Sequence, residues 1–130
     1  MAGLRVLICD DEESICALLR DILARFGHEA VVICGDGPSA LARAEQELFD
    51  VVFLDIRMPG MDGVEVMHRM RPLRPEAKFV MITGYAQDEL MDKSVAGGAY
   101  ACLAKPFSLA RLKKLLEDIA AGEAVGAEAP

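Results

Sequence analysis

Short, nearly continuous apolar runs alternate along the chain with stretches in which apolar residues recur every three to four positions, the patterns of buried strands and of amphipathic helices. The most continuous run, Val51, Val52, Phe53 and Leu54, has no polar interruption, which suits a strand buried on both faces, and it stops at Asp55. Pro59, Gly60 and Gly63 follow, residues that turn a chain sharply, so Asp55 is expected at the mouth of a loop. Four other runs read as strands: residues 4–9 (LRVLIC) before Asp10, Asp11, Glu12 and Glu13; 29–34; 78–82 before Thr83 and Gly84; and 100–103 before Lys105, Pro106 and Phe107.

Between these runs the period lengthens. Ile15, Leu18, Leu19, Ile22, Leu23 and Phe26 mark a first helix, with Gly27 as its C-cap. Pro38 suits the first position of a second, which is expected to bury Leu41, Ala44 and Leu48. A short third helix over 64–71 ends before Pro72 and Pro75. A fourth, over 87–96, has a thin stripe of Leu90, Met91 and Val95, and Gly97 and Gly98 weaken its end. Ser108 caps a fifth that carries Leu109, Leu112, Leu116 and Ile119. Residues 120–130 (AAGEAVGAEAP) lack periodicity and read as a tail or truncated linker. Five strands alternating with five helices at short connections predict an α/β fold, a parallel sheet with right-handed crossovers and helices on both faces.

Composition narrows the function classes. A chain of 130 residues fits one domain with a real core. Apolar residues make up 53%, yet no run approaches a membrane span and the start lacks a signal peptide's pattern, so the expectation is a soluble, cytoplasmic protein with no membrane contact. A formal charge of −7 removes the basic field that nucleic-acid binding requires, so no direct nucleic-acid contact is expected. Cys9, Cys16, Cys34 and Cys102 form no C-x-x-C pair, and His28 and His68 are far apart, which favours buried free thiols over a zinc site.

The strand ends carry the chemistry. Asp10 and Asp11 follow the first strand, Asp55 the third, Thr83 the fourth and Lys105 the fifth, and in an open parallel sheet that edge is where ligands bind. Three crowded carboxylates favour a hard divalent cation with oxygen ligands, and a hydroxyl and an ammonium beside them suit a phosphoryl group. Taken singly, the acids also suit a helix N-terminus, Thr83 a turn and Lys105 the surface. Met58, Met61 and Met67 suit gap filling more than recognition.

The combination of Asp10-Asp11, Asp55 within LDIRMPGMDG, Thr83-Gly84 and Lys105-Pro106-Phe107 resembles the receiver domain of two-component response regulators, over roughly residues 4–120. The resemblance implies a flavodoxin-like doubly wound sandwich with strand order 2-1-3-4-5, a receiver domain over 1–121 and a flexible tail or truncated linker over 122–130. It implies that Asp55 accepts a phosphoryl group from a histidine kinase or a phosphotransfer protein. Asp11, Asp55 and the Arg57 backbone carbonyl would ligate Mg2+ (or Mn2+), and Asp10 would act through a water. Lys105 would pair with Asp55 or its phosphoryl group. Thr83 would move to bond a phosphoryl oxygen, helped by the amides of Arg57 and Gly84, and the Lys105–Pro106 bond would be cis. Such a protein is no enzyme beyond its own Mg-dependent phosphorylation and dephosphorylation. It would pass its state to an effector domain or downstream protein through the fourth helix, fifth strand and last helix, with a phosphorylation-linked dimer as a further expectation.

Cys102 departs from the pattern, standing where the family carries Tyr or Phe. By the strand's period of two, Tyr100 is expected on the same side, as a partial substitute, with weakened coupling of Thr83 to the output face. A bulky Tyr85, two residues beyond Thr83, is expected to slow dephosphorylation. A phosphatase or mutase with an aspartyl nucleophile would carry a second acid two residues on, where Arg57 stands. A pseudo-receiver that only binds proteins would be favoured by a broken acidic cluster, and the cluster is intact.

Overall fold

The computed structural model describes residues 3–84 and 89–122. Among them, β1 (Arg5–Cys9), α1 (Glu13–Arg25), β2 (Ala30–Cys34), α2 (Gly37–Gln46), β3 (Val51–Asp55), α3 (Gly63–Met70), β4 (Lys78–Thr83), α4 (Glu89–Ala96), β5 (Ala101–Ala104) and α5 (Leu109–Ala120) alternate in the expected order. The strands form one parallel sheet in the order β2-β1-β3-β4-β5, the flavodoxin-like arrangement.

Alternation along the strands builds two cores. Leu7 and Cys9, Val52 and Leu54, and Phe79 and Met81 pack against Ala40 and Ala44 of α2, Val66, Met67 and Met70 of α3, and Leu90 of α4. Val6 and Ile8, Val51 and Phe53, and Val80 and Ile82 face Cys16, Leu19 and Leu23 of α1 and Leu112, Leu115 and Leu116 of α5. Every residue of β3 is buried, because it lies mid-sheet with helices on both faces. No helix is long and apolar enough to cross a membrane, among the described residues.

Several expectations shift by a residue or two. Asp36 caps α2 by accepting a hydrogen bond from Ser39 N at 2.8 Å, so the helix starts at Gly37 and ends at Gln46. Leu48 falls beyond that end and is 56% exposed, and Ala40 takes its place inside. In α5 the buried stripe is Leu112, Leu115, Leu116 and Ile119, whereas Leu109, in the first turn, is 55% exposed. Of the fourth helix's expected stripe, Leu90 is buried and Val95 is exposed, while the Met91 side chain lies outside what is described. The expected helical residues 87 and 88, Tyr85 and the tail over 123–130 also lie outside the described residues.

Candidate functional site

Sheet register brings the acids together. Cys9 pairs with Leu54, so Asp10, the residue just past β1, and Asp55, the last residue of β3, stand side by side at one edge of the sheet. Their carboxylates are almost wholly buried, and with exposed Asp11 they place one oxygen each within 4.8 Å of the others. The Asp10 amide donates to Cys34 O at 3.1 Å, which ties the end of β1 to β2. Below Asp55 the turn is held close by Gly63, where a Cβ would collide with the Asp55 carbonyl oxygen. Asp62 then caps α3 by accepting from Glu65 N at 2.9 Å.

Lys105 reaches this cluster from the β5–α5 loop. Its Nζ lies 2.9 Å from Glu12 Oε1, 3.2 Å from Asp10 Oδ2 and 3.6 Å from Asp55 Oδ2. The Lys105 amide donates to Thr83 O at 2.8 Å, so the ends of β4 and β5 are joined at the site, and the Lys105–Pro106 peptide is cis. Asp55 Oδ1 accepts the Arg57 amide at 3.2 Å. Burial, then the charge of Asp10, pushes the Asp55 carboxyl up to about 7, although Lys105 and the Arg57 amide oppose the shift. Burial works against the charged form of Lys105, but the Glu12 hydrogen bond and the charges of Asp55 and Asp10 outweigh it and hold its ammonium above the usual lysine range.

The donors fit a hard divalent cation. Among the described residues Asp10 Oδ2 is buried without a hydrogen-bond partner of good geometry, and it meets the Lys105 ammonium as an ion pair at 3.2 Å. A buried carboxylate oxygen left so is costly, and a cation between Asp10, Asp11 and Asp55 would satisfy it.

Thr83 is buried at the end of β4, and its carbonyl accepts from the Lys105 amide. Phe79 and Met81 alternate with Val80 and Ile82, and this period assigns the Thr83 side chain to the α3/α4 layer, across the sheet from Asp55. Cys102 pairs with Met81 in register and is half-buried against that same layer. Tyr100 corrects an expectation. It packs against the α1/α5 layer, opposite Cys102, because β5 begins only at Ala101 and the alternation does not extend back to it. Lys78 Nζ sits 5.8 Å from its ring centroid, at the end of the sheet remote from Thr83, so Tyr100 is no substitute on the Cys102 face. Gly84, the residue after β4, is exposed. Glu12 was not among the expected site residues; its signal was a glutamate at the first turn of a helix, where a shorter cap is usual.

A family model described as the response regulator receiver domain matches residues 6–117. The chain belongs to this family. It is 40% identical over 129 residues to the sensory transduction protein RegX3 of Mycolicibacterium smegmatis, covering 95% of this chain and 55% of that protein. It is 32% identical over 126 residues to the transcriptional regulatory protein ZraR of Salmonella typhimurium, covering 96% of this chain and 28% of that one. The receiver thus spans between about a quarter and just over half the length of these curated relatives. Among solved structures, the chemotaxis protein CheY4 of Vibrio cholerae superposes with a TM-score of 0.82 at 33% identity, over 91% of this chain and 99% of that one. Receivers are signalling modules of two-component systems rather than classical enzymes; response regulators take signals from kinases and act on effector domains.

Proposed function

We propose that this receiver is switched by phosphorylation of Asp55. The observation that carries the reading is the gathering of Asp10, Asp11 and Asp55 within 4.8 Å, with Lys105 Nζ 3.6 Å from the central carboxylate. A carboxylate oxygen of Asp55 attacks the phosphorus of a phosphohistidine, an O–P bond forms, the P–N bond breaks, and the released imidazole nitrogen takes a proton from solvent. Lys105 supplies positive charge beside the transferred group, and the amides of Arg57 and Gly84 and the hydroxyl of Thr83 are its hydrogen-bond donors. Asp11, Asp55 and the Arg57 carbonyl would hold Mg2+ or Mn2+ directly, and Asp10 would hold it through a water. The ion's chemistry is to neutralise the crowded carboxylates and the phosphoryl oxygens.

Because alternation assigns the Thr83 side chain to the far layer, its move toward Asp55 would change the face shared with Cys102 and α4. That is the route we assign to output through α4, β5 and α5, toward an effector domain or a downstream protein, with dimerisation as one outcome. The kinase or phosphotransfer partner would dock near α1. The intact cluster speaks against a pseudo-receiver that only binds proteins. The test is to incubate the protein with acetyl phosphate, with and without Mg2+, and to determine its intact mass. One added phosphoryl group that needs the metal supports the reading, and an unmodified mass in both overturns it.

A further inference from the structure

We infer that Glu12 is a positioning residue that holds Lys105 back from the acceptor until a phosphoryl group arrives, an inference that rests on Asp55 being the acceptor. Glu12 is the N-cap of α1, a position that favours Ser, Thr, Asp or Asn because a short side chain can accept from the free amides of the first turn. Asp36, Asp62 and Ser108 do this at α2, α3 and α5. Glu12 does not: its side chain makes no cap hydrogen bond and reaches to Lys105 instead.

Its backbone is pinned at both ends of the residue. The Glu12 amide donates to Asp10 Oδ1 at 2.9 Å, and its carbonyl accepts from Ile15 N at 3.1 Å and Cys16 N at 3.2 Å. The side chain therefore leaves from a fixed point beside the acidic cluster. Among the described residues that pair with the Lys105 ammonium, the Glu12 carboxylate is the nearest and the most exposed, and that of Asp55 the farthest. Lys105 must give up some of the Glu12 contact to reach a phosphoryl group on Asp55. Glu12 thus stabilises the unphosphorylated arrangement, and once Lys105 has shifted it has little hold on the phosphorylated one.

The experiment compares the parent with Glu12→Gln and Glu12→Asp at saturating Mg2+, measuring the rate of phosphoryl acceptance from acetyl phosphate and the lifetime of the phosphoprotein. Glu12→Gln removes the charge, whereas Glu12→Asp keeps it on a side chain too short to hold Lys105 and suited to capping α1. Both variants should accept faster by about two- to five-fold, the scale of a partly exposed ion pair, with lifetimes unchanged. In the unphosphorylated protein the Lys105 side-chain NMR resonances should shift in both variants. Acceptance at the parent's rate in both, or faster acceptance by Glu12→Gln alone, would overturn the inference, the second result meaning that charge acts only on the donor or the metal. A parent that takes no phosphate overturns the acceptor reading itself and this inference with it, whereas a parent that takes phosphate while both variants match it overturns this inference alone.

Discussion

Replacing Asp55 by Asn should stabilise the metal-free protein, and by more at high pH. In the folded state the Asp55 carboxyl is pushed from an ordinary 3.8 up to about 7, first by burial and then by Asp10. Between those values the folded chain holds a proton that the unfolded chain has released, so folding stability falls as pH rises through the window. At about 1.4 kcal/mol per unit, the shift corresponds to roughly 4 kcal/mol when the window has been crossed, an upper figure because the unfolded chain is not free of neighbouring charge. Asn keeps the shape and an oxygen for the Arg57 amide but loses the charge. The stability difference between Asp55→Asn and the parent should therefore grow by about 2–3 kcal/mol from pH 5 to pH 8. Urea unfolding in chelator at a series of pH values reads this directly. Adding Mg2+ at pH 8 should raise the parent's midpoint and leave Asp55→Asn much less affected, since binding to the folded state alone is stabilising. A stability difference that does not vary with pH, or a less stable Asn variant at pH 8, would refute the reasoning.

Three other predictions follow from local geometry. Gly63→Ala places a Cβ against the Asp55 carbonyl, so unfolding should show a loss of about 1–3 kcal/mol, and Mg2+ affinity should weaken as the turn moves away. Ser108→Ala removes the hydroxyl that accepts from Arg111 N at 3.2 Å, and thermal unfolding should register a cost of about 1 kcal/mol without loss of phosphoryl acceptance. Burial pushes the Cys9 thiol up to about 12 and the Cys16 thiol up to about 11, and Cys34 is also buried and raised. Burial raises the Cys102 thiol as well, so exposure decides the order: half-buried Cys102 should be the first thiol labelled by a maleimide under native conditions, and peptide mapping that finds Cys9 labelled first would contradict this.

The apolar runs marked all five strands because a parallel sheet covered on both faces needs continuous burial, and the acids and the lysine at their ends pointed to the candidate site. What the pattern did not carry was side-chain direction. Tyr100 looked like a neighbour of Cys102 by a period of two, but that period holds only inside a strand, and β5 starts one residue later. Leu48 fitted a helical stripe until the cap at Asp36 and the extended backbone at Glu47 fixed where α2 stops. The Glu12–Lys105 contact joins residues 93 positions apart, so only the folded sheet brings it into view. Thr83 was legible as a strand-end hydroxyl, whereas its assignment to the far layer depended on the alternation of β4 between two cores.

The most direct test of the account is to phosphorylate the protein with acetyl phosphate and Mg2+, reduce the product with borohydride, and sequence the peptide containing residues 51–63 by mass spectrometry. An acyl phosphate on Asp55 would be reduced to homoserine at that position, and the Asp55→Asn variant would show no such conversion. Homoserine at Asp10 or Asp11 instead, or conversion that persists elsewhere in Asp55→Asn, would contradict the assignment of Asp55 as the acceptor.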